Sequence, residues 1–266
     1  MSCGADGVTL SPPWLLATGP GGWPGPAARF YAHALDRSDY GAAVAHALRG
    51  AAPASLLDIG AGAGHPVSPW LPRASPWTAI EPNRYLRARL GRLARDEGRP
   101  ITAQDAHWET LPALGLAPHA WAWAANISAT QTHPQALLGR MRGLARERVV
   151  WLVPAQPGPR RWCLSGALPA ALHGEDETPG LDLVLAGLGA AHAPQRILTA
   201  PWTFSARFAD IGAAVAHCAS QLSLPPDSPR RAAIAEFLAG AVTRLPEGGV
   251  ELAAPKLSAI LIWDLA

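Results

Sequence analysis

Lysine is nearly missing from this chain. Lys256 is the only one, so arginine carries almost all of the positive charge in a formal net of +2. No Lys/Arg run reaches the length of a nucleic-acid tract, and composition gives no support to a nucleic-acid partner. Cysteine is scarce as well: Cys3, Cys163 and Cys218 stand alone. Without a Cys-x-x-Cys spacing, neither a zinc site nor a disulfide framework is supported. No basic region followed by an apolar core opens the sequence, so a secretory leader is not expected. The longest apolar stretches, such as 181–193, are broken by charge and glycine and are too short to span a bilayer. The expectation is a soluble, cytoplasmic protein with no membrane partner; oligomeric state stays open. What the chain has instead is Ala, Arg, 26 Gly and 27 Pro, a bias that speaks of a GC-rich genome rather than of a function, and 11 Trp. Its 266 residues suffice for one large α/β domain with elaborations.

The most informative stretch is 54–67. Leu56, Leu57 and Ile59 form the short apolar run of an interior parallel strand. Gly60, Gly62 and Gly64 then allow a tight turn with close backbone approach to a ligand. Asp58 sits at the carboxyl end of the strand, the edge where open α/β sheets bind ligands. The dinucleotide fingerprint places its third glycine three residues after the second, but that position is His65. A carboxylate just before the turn also suits an anionic pyrophosphate poorly, and suits a cationic cofactor without phosphate better.

Asp58-x-Gly60-x-Gly62-x-Gly64 resembles motif I of the class I S-adenosylmethionine-dependent methyltransferases; the plainer alternative is any βα turn of a doubly wound sheet. Two further strand ends extend the resemblance. Residues 77–81 form a second strand ending in Glu81, 19 residues after Gly62, near the spacing at which a carboxylate meets ribose hydroxyls. Glu81-Pro82-Asn83 resembles the family's motif II, although an acid that caps a helix starting near Asn83 explains it too. A short third strand at Ile101 and Ala103 leads to Asp105-Ala106, followed by Leu111-Pro112. The resemblance implies that the Asp105 carboxylate takes the adenine amino group and that the next backbone amide serves a ring nitrogen. His107 or Trp108 is a candidate cover for the adenine, with ordinary core packing as the alternative for Trp108.

A fourth strand over 119–126 ends at Asn126, where the family often has a polar residue facing substrate or cofactor. The following Ile127-Ser128-Ala129-Thr130 contains neither the family's aspartate nor its Asn-Pro-Pro-Tyr. That argues against a catalytic magnesium and against methylation of planar amino groups; no metal is assigned. The implied cofactor is S-adenosyl-L-methionine, with Asp58, Gly60, Ala61, Gly62, Glu81, Pro82, Asp105, Ala106, His107 and Asn126 as its candidate contacts. His107 and His133 are positioned as possible bases, each more simply structural, and no catalytic residue is assigned. Trp151, Trp162 and Trp202 hint at an aromatic pocket.

The rest follows the family in outline. A helix from Pro134, a fifth strand over 148–154, a helix over 181–190 and a strand over 196–200 are expected. Two helices at 205–222 and 229–244 form a cap, and a last apolar strand covers 256–263. The resemblance implies a doubly wound, Rossmann-like, seven-stranded, mostly parallel sheet, its last strand antiparallel and inserted beside strand 6. Residues 54–266 make that domain, with the helical cap at about 205–249 between strands 6 and 7.

Residues 1–53 form an N-terminal arm and a helical lid. The Gly/Pro-rich 1–26 is loosely ordered or wrapped on the surface, although Trp14 and Trp23 argue for docking. Helices follow at 27–35 and 38–48, with Ser38 as N-cap. Phe30, Tyr31 and Tyr40 are candidates to line a lid, or simply pack on the sheet domain. Arg84, Arg87, Arg89, Arg92 and Arg95 crowd one helix, read as a solvated face rather than an RNA patch. His173 to Glu177 reads as an acidic surface loop. The favoured reading is a methyltransferase acting on a small molecule; one acting on RNA or protein, or a non-catalytic partner subunit of the same fold, are the alternatives.

Overall fold

The computed structural model describes residues 25–127, 133–158, 164 and 166–265. The remainder of the arm, with Trp14 and Trp23, residues 128–130, and Trp162 and Cys163 lie outside the described residues.

Eight strands form one sheet in the order β3-β2-β1-β4-β5-β8-β6, with the two-residue β7 beside β8. β1 (Leu56–Ile59), β2 (Trp77–Ile80), β3 (Ile101–Gln104), β4 (His119–Ala125) and β5 (Ala145–Pro154) are parallel. β8 (Val250–Asp264) runs antiparallel between β5 and β6 (Arg196–Phe208), and β7 is Thr243–Arg244. This is the expected doubly wound, Rossmann-like sheet with an inserted antiparallel strand. The eighth strand is only the short β7.

Period-two alternation splits the sheet residues between two cores. Leu56, Trp77, Trp121, Trp123 and Val150 enter one core, shared with α1 (Gly25–Leu35), α2 (Tyr40–Ala47), α3 (Arg84–Glu97), α7 (Ile211–Gln221) and α8 (Pro229–Ala241). Leu57, Ile59, Ala122, Trp151 and Leu261 enter the other, with α4 (Pro134–Gly143), α6 (Gly180–Leu188) and the 3₁₀ helix Trp108–Leu114. A one-turn helix, α5, spans Ala170–His173.

The connection from β1 to β2 contains no helix. Pro66, Pro69 and Pro72 recur every third residue and remove the backbone donors that a helix needs. The chain winds instead through turns, with Gly64, Val67, Ser68 and Leu71 amides bonded three or four residues back. Trp70 from these turns packs on Trp121 and Trp123, ring centroids 6.0 and 5.2 Å away. It covers the sheet face that a crossover helix would otherwise bury. Arg99 pins the turns from beneath, donating to the carbonyls of Leu71 (3.0 Å) and Ser68 (2.8 Å).

Several boundaries differ from expectation. β6 runs to Phe208 and β8 starts at Val250, so residues 201–208 and 250–257 project as a ribbon beyond Pro154, the end of β5. The helix expected from 205 begins only at Ile211, capped by Asp210, whose carboxylate accepts from the Ala213 amide at 2.7 Å. The next helix ends at Ala241. Ser38 is not an N-cap. Its hydroxyl donates to the Ala34 carbonyl and accepts from the Ser205 amide, tying α1 to the ribbon.

Candidate functional site

The three acids expected at strand ends stand where the sequence places them, in three different environments. β1 delivers Asp58 into the sheet, 2% exposed. Among the described residues its single side-chain donor is the Trp77 indole N–H at 3.2 Å. Burial, with the Trp77 bond opposing it and the Glu81 charge adding to it, pushes the Asp58 carboxyl up to about 8. Glu81 is also buried but better supplied: it accepts from the Gly62 amide and from the Asn83 amide, both at 2.8 Å. Burial raises its pKa too, against those two amides and the Arg87 charge. A carboxylate offers about four acceptor sites, and these two amides occupy only two of them. Asn83 caps α3 with its own side chain, accepting from Tyr85 and Leu86 amides. Helix capping is therefore the work of Asn83, not of Glu81.

Gly60 (φ 69°), Gly62 (φ 58°) and Gly64 (φ 86°) are all in the left-handed region that glycine tolerates. Each has different surroundings. A Cβ on Gly60 would strike the Ile127 side chain at 2.8 Å, and one on Gly64 the Trp77 ring at 2.8 Å, while Gly62 faces open space. The Gly60 and Ala61 amides donate to the Ile80 carbonyl, which welds the turn to the end of β2.

Asp105 is mostly exposed and receives a 2.6 Å ion pair from Arg87. The same guanidinium donates to the Glu81 and Pro82 carbonyls. Arg87 thus gathers Glu81, Pro82 and Asp105 into one group. Ala106 is buried in the second core, and Trp108 packs there with Arg140 over its ring at 4.5 Å. For Trp108 the core alternative holds. His107 is half-buried beside it, its amide donating to the Thr110 hydroxyl.

Asn126 adopts a left-handed φ of 54° at the end of β4. Its Nδ2 donates to the Tyr40 hydroxyl at 2.8 Å, and its buried Oδ1 has no partner among the described residues. Tyr40 is bonded to Ser258 as well, and stacks on Trp202 at 4.2 Å; the Trp202 indole donates to Ser258 at 3.1 Å. Of the aromatic candidates, Trp202 therefore belongs to this network. Trp151 is fully buried core. Phe30 packs on Phe208 and His217, and Tyr31 on Phe204, so both meet the sheet domain and its cap. His133 is exposed at the start of α4. His173 is buried, with its Nε2 3.2 Å from Glu177 and its Nδ1 accepting from the Glu175 amide, while the acids of that loop are exposed.

The expected arginine face is only partly a face. Arg87 is internal to the site, and Arg89 forms a two-pronged pair with Asp36 of the α1–α2 junction. His65 bonds the same carboxylate at 2.7 Å. Burial would raise Asp36, but these bonds and charges bring it down to about 2. Arg84, Arg92 and Arg95 are exposed. A cleft of about 510 Å³ lies beside this cluster, behind the glycine turn, and none of the strand-end acids lines it.

Arg87, Trp77 and Tyr40 are the members that motif reading misses. For Arg87 a signal exists: helical Cα–Cβ bonds tilt toward the N-terminus, so an arginine in the first turns reaches back to the strand end. For Tyr40, expected only to line a lid or pack on the sheet domain, nothing local announces the bond to Asn126, 86 residues away.

No family model and no curated protein matches the chain. Solved structures share its outline at low identity. A putative methyltransferase from Bacillus halodurans is 9% identical with a TM-score of 0.47, covering 84% of this chain and 97% of its own. YcgJ of Bacillus subtilis is 15% identical with a TM-score of 0.46, covering 86% and 98%. A SAM-dependent methyltransferase from Geobacter sulfurreducens, solved with S-adenosyl-L-homocysteine, is 14% identical with a TM-score of 0.45, covering 84% and 90%. The likeness is one of outline only.

Proposed function

We propose that this chain is an S-adenosylmethionine-dependent methyltransferase acting on a small molecule. One observation carries the reading: the glycine turn lies between two buried carboxyl groups and has no helix behind it. A dinucleotide needs the opposite arrangement, because its pyrophosphate rests on the N-terminus of the helix that follows the turn. Here the prolines remove that helix and the acids favour positive charge. A cofactor with a sulfonium and an ammonium, and no phosphate, fits this donor and acceptor set.

Bound, the cofactor would supply an electrophilic methyl group for in-line transfer. The residues suited to hold it are those of the strand ends. Glu81 has free acceptor sites for the ribose hydroxyls, Asp105 has an oxygen beyond the Arg87 pair for the adenine amino group, and the Ala106 segment supplies backbone. Asp58 provides countercharge near the turn. Asn126, with an unmet acceptor, completes the edge. Alignment of this kind accounts for roughly 7–11 kcal/mol of a barrier.

A small acceptor is supported by the cover over the strand ends. The α1–α2 junction contacts His65 beyond β1, Asn126 at the end of β4, and Thr203 and Ser205 on the ribbon. The internal pairing of Arg87 and Arg89 weakens the case for a nucleic-acid face. Calorimetry with S-adenosylhomocysteine tests the reading: no binding at millimolar ligand would refute it. Asp105→Ala should weaken binding at least tenfold yet change stability by under about 1 kcal/mol, because the Arg87 pair is largely exposed on the Asp105 side.

A further inference from the structure

Asp58 and Glu81 are both buried at the turn, but only Glu81 is equipped to hold a negative charge unaided. It has two backbone N–H donors, and the Arg87 guanidinium lies on its carbonyl. Among the described residues, Asp58 has the Trp77 indole alone. The ionisable groups that face Asp58 are Glu81 from β2 and the Tyr40 hydroxyl from α2; among the described residues no cation joins them. A buried carboxyl group with one neutral donor and an acid for a neighbour is stable only with its proton on.

We propose that the site captures its ligand by exchanging a proton for a cation: the Asp58 O–H bond breaks as the cationic cofactor arrives, the proton leaves to solvent, and the carboxylate becomes the ligand's counterion. The inference rests on the methyltransferase reading above. No electrons are transferred, and the charge of the buried site is unchanged by the exchange. It makes Asp58 a specificity-determining residue. S-Adenosylmethionine carries a sulfonium beside its ammonium, whereas the demethylated product keeps the ammonium alone, so less positive charge remains to hold Asp58 ionised and a smaller share of its proton is released.

The test is titration calorimetry of the full chain with S-adenosylmethionine and with S-adenosylhomocysteine. Each is measured at one pH in several buffers of different ionisation enthalpy, so that the buffer dependence of the heat counts protons. At about pH 7 the wild type should release close to one proton per S-adenosylmethionine beyond whatever Asp58→Asn releases, and distinctly fewer with S-adenosylhomocysteine. Affinity for S-adenosylmethionine should rise by up to about tenfold per pH unit below pH 8 and level off above it, with proton release fading by about pH 9.5. The wild-type pH series alone decides the matter if Asp58→Asn fails to fold. Binding without proton release at about pH 7, release that persists unchanged to about pH 9.5, or equal release from Asp58→Asn would each overturn the proposal. Absence of binding by either ligand would overturn the methyltransferase reading itself.

Discussion

Replacing Tyr40 by Phe removes one oxygen and leaves the ring stacked on Trp202. The cost should nonetheless be large for so small a change. Asn126 Nδ2 would lose its 2.8 Å acceptor in a part-buried polar network, and Ser258 would lose one of its partners. Each orphaned buried group costs about 1–3 kcal/mol, and solvent entry or rearrangement recovers some of that, so about 2–3 kcal/mol is expected in all. Asn126 carries a second liability, its φ of 54°, which Asn tolerates better than most residues and Gly better still. Asn126→Gly deletes the donor and relieves the backbone together, and should cost less than Asn126→Ala. In that background Tyr40→Phe should lose about 1 kcal/mol of its effect, the coupling expected of bonded neighbours. Urea unfolding of the four proteins, read as midpoints at constant slope, completes the cycle. Additivity within about 0.5 kcal/mol would refute a direct Tyr40–Asn126 bond.

Gly64→Ala would thrust a Cβ to 2.8 Å from the Trp77 ring at a left-handed φ, so melting should fall by several degrees, and binding should suffer because Trp77 donates to Asp58. His217, held between Phe30 and Phe208, is depressed by burial to about 4 from an ordinary 6.5. Because the folded chain keeps it neutral, its contribution is intact above about pH 6.5 and is lost as pH falls through about 4. At most about 3 kcal/mol is involved, and His217→Leu should flatten that limb of a stability–pH curve. Arg99→Ala would leave the Leu71 and Ser68 carbonyls and Glu97 without their shared donor, at a cost of about 3 kcal/mol or more in chemical unfolding. Arg99→Lys should rescue little, since one ammonium cannot span three acceptors in a fixed fork.

The strand ends were legible in the sequence because their signals are local. An apolar run, an acid and a glycine turn lie within ten residues, and each strand of the parallel half shows one clear stop. The alternation that defines the ribbon was not legible. Ser205 to Phe208 pair with Val250 to Ala253, so their strand character comes from partners some forty residues away, while their own composition suits a helix start. The arginines of α3 misled for the same reason. Helical spacing puts Arg89 beside solvent, and only the fold brings Asp36 to it from 53 residues upstream. Ser38 has the chemistry of a cap, but the ribbon competes for its hydroxyl and wins.

The stitching of the α1–α2 junction to the ribbon also sets a timetable for synthesis. Asp39 and Ser38 accept from the amides of Thr203 and Ser205, partners 164 and 167 residues later in the chain. At about 5–20 residues per second, a ribosome needs roughly ten to thirty seconds to make that intervening chain. Over that interval the apolar sides of α1 and α2 have no ribbon to settle on. These two helices are therefore among the last of the described elements to dock, and the nascent chain must keep its Phe30, Tyr31 and Tyr40 rings from other partners while it waits.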